Sequence, residues 1–210
     1  MKTSHIINAA QAIQQAILNN ESTLESLDRE IGDGDHFINM KRGANTIVEM
    51  QAELATLTPD AALNKIGMKL LSTIGGASGP LLASFFMSMG KTLKENGDDS
   101  QLKIAAAFAA GVQAIIQRGK ADIGEKTMLD VLIPVSNQLV LLAAQNCETQ
   151  KICTSLTSVA EAGMLSTKNL IATKGRAAGL GERAIGHIDP GAKSCQLMVE
   201  AVCKRILLEA

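Results

Sequence analysis

The chain has 210 residues, 20 basic and 21 acidic side chains, and a formal net charge of −1. Because basic and acidic side chains are nearly equal in number, the chain has no excess positive charge to attract nucleic acid or a membrane surface. We therefore expect neither as a partner. No apolar run reaches the roughly 18–20 residues of a transmembrane helix, and the polar N-terminal segment predicts no signal peptide.

The cysteine and aromatic content further limits the kinds of protein that this sequence can encode. The four cysteines form no C-x-x-C pair and have no histidine at zinc-like spacing. They are typical of reduced, buried thiols, so we expect a cytoplasmic protein. Trp and Tyr are absent and only four Phe are present, which argues against a base-stacking platform.

Apolar residues recur at helical spacing along most of the chain. Pro59 suits the first turn of a helix, Asn96-Gly97 is a helix end, and Pro134 inside an apolar segment implies a kink or a late helix start. The pattern predicts about eight helices, and a short helical segment, Thr23–Leu27, follows the first of them. In chain order the others include Ile6–Ile17, Asn39–Leu54, Pro59–Leu70, Leu82–Leu93, Ile104–Ile115, Met128–Ala144, Lys151–Ala172 and Leu197–Ile206.

No segment shows convincing strand alternation, and Leu129–Val135, the best strand candidate, contains a proline that argues against a central strand. The prediction is a single all-α domain over residues 1–210, packed as antiparallel helices.

Most glycines fall in or beside four inter-helix stretches, around residues 32–34, 75–79, 119–124 and 175–191. Alternate loops of an up-and-down bundle lie at one end, so several of these loops could converge on one ligand. Plain helix termination is the alternative for any one of them.

The segment Leu27–His36 concentrates negative charge, with three aspartates within eight positions: Asp28, Asp33 and Asp35. At a few ångströms two like charges repel by roughly 1–4 kcal/mol, so a partly buried cluster needs a compensating cation or a raised pKa. Carboxylate oxygens in a Gly-rich turn suit a hard ion such as Mg²⁺ or Ca²⁺. A solvated acidic turn is the alternative.

An EF-hand is excluded because Phe37 and Ala44 occupy the positions where that loop needs Asp or Asn and Glu. Mg²⁺ completed by phosphate oxygens remains, and it predicts a nucleotide or phosphorylated ligand. Gly90-Lys91-Thr92 matches only the tail of a P-loop and lies on an apolar helical stripe, so it is a chance match.

Several other polar residues are candidates for ligand contacts. Ser78, in a Gly-rich stretch, suits a phosphate-contacting or helix-capping hydroxyl better than a nucleophile. His36 could be a phosphohistidine site, a ligand contact or a structural donor. Arg176 and Arg183 could clamp phosphate or be solvated, and Asp189-Pro190-Gly191 alone is an ordinary turn sequence.

Taken together, six motifs in order closely resemble the ADP-binding L subunits of dihydroxyacetone kinases, a module that is also the C-terminal domain of the ATP-dependent enzymes. The resemblance covers essentially the whole chain. The motifs lie at residues 28–40, Gly75–Pro80, Arg118–Ala121, Gly124–Asp130, Lys174–Ala177 and Gly181–Gly191.

The resemblance implies an eight-helix antiparallel up-and-down barrel with a nucleotide site at one end. It implies that Asp28, Asp33 and Asp35 are the catalytic metal ligands, holding two Mg²⁺ ions against the phosphates of ADP or ATP. The positions that match nucleotide-contacting residues are His36, Asn39, Ala77, Ser78, Gly119, Met128, Arg176, Asp189, Pro190 and Gly191.

The resemblance also implies a reaction. ADP held as a coenzyme is phosphorylated by a phosphohistidine protein, the M subunit, and passes the phosphoryl group to dihydroxyacetone on a separate K subunit. Two alternatives stay open: an ATP-exchanging subunit for dihydroxyacetone or another short keto-sugar, and a nucleotide-loaded docking module that controls a transcriptional regulator. A homodimer is a further expectation. Phe37 stands where the family usually has glycine, which leaves the local geometry, the sugar and the nucleotide exchange rate open.

Overall fold

The computed structural model describes residues 2–95 and 100–209. Within those residues the chain is helical, with ten α-helices, two 3₁₀ segments and no strand, which confirms the predicted all-α class. The α-helices are α1 (Thr3–Asn19), α2 (Glu21–Ile31), α3 (His36–Glu49), α4 (Gln51–Leu54), α5 (Pro59–Thr73), α6 (Ser78–Glu95), α7 (Gln101–Gly119), α8 (Leu129–Ala144), α9 (Thr149–Ser166) and α10 (Pro190–Glu209).

Eight of these helices form a closed ring. Going round it, α1 packs on α3, α3 on α5, and then each helix packs on the next in the chain, until α10 returns to α1. The short helices α2 and α4 cap the ring, and the apolar stripes of the long helices meet inside it. Fully buried side chains of that core include Ile17, Leu24, Ile66, Leu70, Ile115, Leu129, Val131 and Val135.

Successive long helices run in opposite directions, so the segments that precede α3, α6, α8 and α10 lie at the same end of the ring. The 168–186 loop between α9 and α10 also lies there and contains the second 3₁₀ segment, Arg176–Ala184. Left-handed backbone at glycine occurs only in the four predicted loop regions among the described residues, at Gly34, Gly76, Gly124, Gly175, Gly181 and Gly186.

Several helix boundaries differ from the prediction. The helix predicted from Asn39 begins three residues earlier, at His36, because Asp35 is its N-cap residue. The helix predicted through Leu54 is interrupted at Met50. The predicted break Gly75–Pro80 is shorter, because Ser78–Pro80 already form the first turn of α6. Proline is tolerated there because the N–H groups of a first helical turn have no partner within the helix.

Two further boundaries lie earlier in the chain than predicted. The α-helix predicted over Lys151–Ala172 ends at Ser166 and tightens into a 3₁₀ turn, and the loop predicted to reach Lys193 ends where α10 begins at Pro190. The predicted helix end Asn96-Gly97 lies outside the described residues.

Pro134 lies inside α8 and does not end it. Proline has no N–H for the carbonyl four residues earlier, which leaves the Asp130 carbonyl without its helical donor. The neighbouring helix approaches closely there: a Cβ on Gly163 would lie 2.3 Å from that carbonyl oxygen. Gly163 therefore permits the close packing of α9 on α8.

The remaining composition-based expectations concern thiols and membrane spans. All four cysteines are free, and Cys153, Cys195 and Cys203 are buried, as predicted. Among the described residues, the helices are either too short or too polar to cross a bilayer.

Candidate functional site

The acidic turn brings its three aspartates together at one end of the ring. Carboxylate oxygens of Asp28, Asp33 and Asp35 all lie within 4.8 Å of one another. Asp28, on the last turns of α2, is buried, whereas Asp33 and Asp35 are exposed. Three carboxylates at this spacing repel one another, and their oxygen-only donor set fits a hard divalent cation.

Two glycines make this arrangement possible. A Cβ on Gly32 would lie 1.7 Å from the Asp28 carboxylate oxygen Oδ1, so any side chain there would displace that ligand atom. Gly34 has a φ of +81°, a left-handed conformation that is costly for other residues and that folds the chain back between Asp33 and Asp35. The Gly-Asp-Gly-Asp spacing is therefore required by the geometry.

His36 connects the acidic turn to α10. Its backbone N–H donates to Asp28 Oδ2 at 2.9 Å, and its Nε2 pairs with the Ser194 hydroxyl. Ser194 donates to the Pro190 carbonyl at 2.8 Å, so it accepts from the Nε2–H of His36. Burial lowers the pKa of His36, while the carboxylates of Asp28 and Asp35 raise it.

Phe37 points away from the acidic turn. Its side chain is 3% exposed and belongs to the main hydrophobic core, with the Lys41 ammonium 5.5 Å from the ring centroid. The turn keeps its three carboxylates together with phenylalanine at this position. Phenylalanine is accommodated at this position because its side chain is buried in the core.

The second loop approaches the start of α3. Asn39 is buried, and its Oδ1 accepts a hydrogen bond from the Gly75 N–H at 3.3 Å. Ala77 precedes α6, and Ser78 is its first residue. The helix start is fixed by close packing, since a Cβ on Gly79 would lie 2.3 Å from the Ile74 carbonyl oxygen.

The third and fourth loops meet beside α10. Gly119 is the last residue of α7 and Met128 immediately precedes α8. A Cβ on Gly191 would lie 3.7 Å from the Met128 Cβ. The Asp189-Pro190-Gly191 sequence is the start of α10: Pro190 is its first residue, and the Asp189 carboxylate accepts from the Ala192 N–H at 2.7 Å.

Arg176 reaches the acidic turn from the 168–186 loop. Its Nε lies 2.7 Å from Asp33 Oδ2, and both side chains are exposed. The other candidate arginine, Arg183, is an exposed residue of the same loop. The loop also rests on α2, because Ala172, Ala177 and Ala184 bury against Ile31.

A buried charged cluster lies near these loops, and its members Lys126 and Asp130 belong to one of the six motifs, although neither was predicted to have a role. Asp130 and Lys126 are each only 1% exposed. Asp130 accepts from the N–H groups of Gly124 and Thr127 at 2.6 and 2.7 Å, and Lys126 lies close to Asp130 and Asp189. Ser194, the partner of His36, was not predicted either. Asp189 is distant in the sequence from Lys126, as Ser194 is from His36, and a lone Asp or Ser does not reveal its partner.

Burial dominates the electrostatics of this cluster. It raises the pKa of Asp189 to about 7 and lowers the pKa of Lys126, although the two groups lie close enough to favour each other's charged forms. Four helix N-termini of the ring (α3, α6, α8 and α10) also point towards this end, and their dipoles favour an anion.

Comparison with known proteins gives one consistent family. A family model described as the DAK2 domain matches residues 30–204. The chain is 41% identical over 177 residues to the ADP-binding subunit DhaL of the PEP-dependent dihydroxyacetone kinase of Escherichia coli K12, covering 84% of each chain. It is 40% identical over 188 residues to the corresponding subunit of the PTS-dependent enzyme of Lactococcus lactis, covering 90% of each.

A solved structure supports the fold. The crystal structure of the dihydroxyacetone kinase of C. freundii with AMP-PNP and Mg²⁺ matches 94% of this chain with a TM-score of 0.74 and 24% identity. The chain spans 33% of that longer protein. The resemblance inferred from the six motifs is confirmed by the family match.

Proposed function

Because the chain belongs to the DAK2 domain family, we propose that it is the nucleotide-binding subunit of a phosphotransferase-dependent dihydroxyacetone kinase. Mg-ADP would be held as a coenzyme, phosphorylated by a phosphohistidine protein, and used to phosphorylate dihydroxyacetone on a separate subunit. The observation that carries the proposal is the carboxylate cluster of Asp28, Asp33 and Asp35 within 4.8 Å, at the end of the ring where the glycine loops converge.

The cluster suits Mg²⁺, and we propose two ions. Bound Mg²⁺ would supply neutralisation of the phosphate oxygens, which is the main requirement of phosphoryl transfer. Asp28 is aimed by its hydrogen bond from the His36 N–H, while Asp33 and Asp35 are accessible to the ligand. Arg176 and a bound cation would compete for the Asp33 carboxylate. Arg176 would therefore move from its ion pair with Asp33 to the nucleotide when cations bind.

The nucleotide would lie across the loops at this end. The positive ends of the dipoles of α3, α6, α8 and α10 would face its phosphates. The proposed contacts are His36, Asn39, Ala77, Ser78, Gly119, Met128, Arg176, Asp189, Pro190 and Gly191.

The same end also offers a docking surface for the sugar-bearing K subunit. Ile38, Ile123 and Ile185 are among six apolar side chains that are 44–54% exposed in the segments around the acidic turn; the others are Leu71, Leu165 and Ile171. We propose the K subunit and the phosphohistidine-donor M subunit as partners in the cytoplasm. The transcriptional regulator, the homodimer and a single domain over residues 1–210 stay predictions.

The test is a reconstituted transfer assay. The chain is combined with a K subunit and dihydroxyacetone, and phosphate is supplied by either a phosphohistidine M subunit or ATP. We expect stoichiometric ADP and magnesium on the gently purified protein and transfer from the phosphohistidine donor. Asp35→Asn should abolish transfer, whereas Glu30→Gln, which changes an exposed carboxylate of the neighbouring helix, should retain it. Transfer by both variants, or a protein free of nucleotide, would contradict the proposal.

A further inference from the structure

Lys126 closes the base of the 168–186 loop. Its side chain is 1% exposed and its Nζ donates to the carbonyls of Thr167 and His187, at 2.6 and 2.5 Å. Those residues directly flank the loop, one before it and one after it. Lysine is almost never fully buried unless its charge is used, and here both hydrogen bonds of the amine go to the two stems of one loop.

Other hydrogen bonds join the same stems. The Gly186 N–H donates to the Lys168 carbonyl at 2.8 Å, and the Asp189 N–H donates to Thr167 Oγ1 at 3.1 Å. The Thr173 N–H donates to the Glu125 carbonyl at 3.4 Å. The two stems are therefore joined to each other by these hydrogen bonds as well as by the amine of Lys126, and Glu125, next to Lys126, holds the loop at Thr173.

Lys126 is itself held in place by the backbone of its turn. The Asp130 carboxylate accepts from the N–H groups of Gly124 and Thr127, which lie on either side of Lys126 in the sequence. Lys126 has a φ of 59°, a left-handed conformation that is uncommon for lysine and that turns its side chain inward. Asp189, which caps α10, lies close enough to favour the charged amine.

We propose that Lys126 is a positioning residue: by joining both stems of the 168–186 loop, it presents Arg176 to the nucleotide and metal site at Asp33. A methionine would fill a similar volume, so packing alone does not explain an amine at this buried position. The part of the inference that concerns Mg-ADP rests on the proposed function, whereas the part that concerns the loop does not.

The experiment compares Lys126→Met with Leu54→Ala in the ligand-free full chain. Leu54 is fully buried in α4, at the opposite end of the ring, so its variant controls for general destabilisation. Each protein is exposed to trypsin, and cleavage after Lys174 and Arg176 is followed by mass spectrometry at temperatures where both variants are equally folded. We expect Lys126→Met to be cleaved in the loop at least about tenfold faster than the control, and its Kd for Mg-ADP to rise about tenfold or more.

Equal loop cleavage in the two variants would overturn the inference. So would a result in which Ile31→Ala, which removes the apolar contact under the loop, accelerates cleavage while Lys126→Met does not. Both of these cleavage results are obtained in the absence of nucleotide. A wild-type protein that fails to bind Mg-ADP would therefore contradict the proposed function and leave the loop result interpretable.

Hydrogen exchange of the wild type keeps the inference falsifiable if Lys126→Met does not fold. The backbone amides of Gly186 and Asp189 should exchange as slowly as those of the ring helices, while amides at the tip of the loop exchange at least about tenfold faster. Fast exchange at Gly186 and Asp189 would show that the base of the loop is open, and the inference would fail.

Discussion

Two groups of acidic residues lie at the same end of the ring, and they differ in what satisfies their charge. The first group, Asp28, Asp33 and Asp35, has two exposed members, and the cation that pairs with Asp33, Arg176, is exposed as well. The second group, Asp130 and Asp189, accepts backbone N–H groups and lies beside the buried amine of Lys126. Asp33 and Asp35 of the first group are exposed, whereas both carboxylates of the second group accept hydrogen bonds from the loop or helix start around them.

The difference shows that residue type alone does not identify a metal site. Both groups are carboxylates near glycine-rich turns, yet hydrogen-bonded carboxylates have few lone pairs left for a cation. Substitutions in the first group should therefore change ligand affinity with little effect on folding. Substitutions in the second group should change the free energy of unfolding.

The largest expected effect is that of Asp130→Ala. It removes the charged acceptor of the Gly124 and Thr127 N–H groups, and a hydrogen bond to a charged group contributes about 1.5–3 kcal/mol. We expect the free energy of unfolding to fall by about 3 kcal/mol in urea titrations. Asp122→Ala, an exposed carboxylate of the same loop, should change it by less than about 0.5 kcal/mol. Similar losses for both variants would remove the distinction between buried and exposed acids.

Asp33→Asn should have the opposite profile. We expect Mg-ADP affinity to drop about 100-fold in calorimetric titrations, because a ligand charge is lost. The free energy of unfolding should change by less than about 1 kcal/mol, since the ion pair with Arg176 is exposed. Glu25→Gln on the exposed face of α2 should bind Mg-ADP normally. Unchanged binding by Asp33→Asn would show that this aspartate holds no cation.

The pH dependence of folding should depend on Asp189. Its pKa is raised from 3.8 to about 7 in the folded chain, so the folded state binds more protons than the unfolded state between those values. The free energy of unfolding of the ligand-free protein should therefore fall as pH rises from about 4 to about 7, by at most about 1.4 kcal/mol per pH unit.

Asp189→Asn keeps the oxygen that caps α10 and removes the titration. Urea unfolding at a series of pH values should show a flatter profile for this variant than for the wild type. Parallel profiles for the two proteins would assign the pH dependence to other groups.

Arg176→Ala should have the smallest effect on folding. The side chain is 72% exposed, so its ion pair contributes less than about 1 kcal/mol to stability. If it turns to the phosphates, the loss of one charge-assisted hydrogen bond should weaken Mg-ADP binding about tenfold. Arg183→Ala is the matched control within the same loop. Equal affinities of the two variants would argue against a role for Arg176.

The parts of the molecule that were predictable depend on residues close together in sequence. Helical stripes, the Pro59 helix start and the left-handed glycines follow from local periodicity and backbone sterics. The acidic turn was also predictable, because Asp33 and Asp35 are separated only by Gly34 and their mutual repulsion requires an explanation whatever the fold. The errors at Asn39, at Gly75–Pro80 and after Ser166 are errors of boundary, where capping and tertiary contacts decide the end of a helix.

Long-range partners were decided by the packing of the ring. Nothing in the order of residues indicates that His36 meets Ser194, or that Lys126 lies between Thr167 and His187. Nor does it show which aspartates become buried, since burial depends on neighbouring helices that approach only after the ring closes. Local chemistry thus specified the helices and the charge of the turn, while tertiary packing selected the carboxylates left open to a ligand and those enclosed as structure.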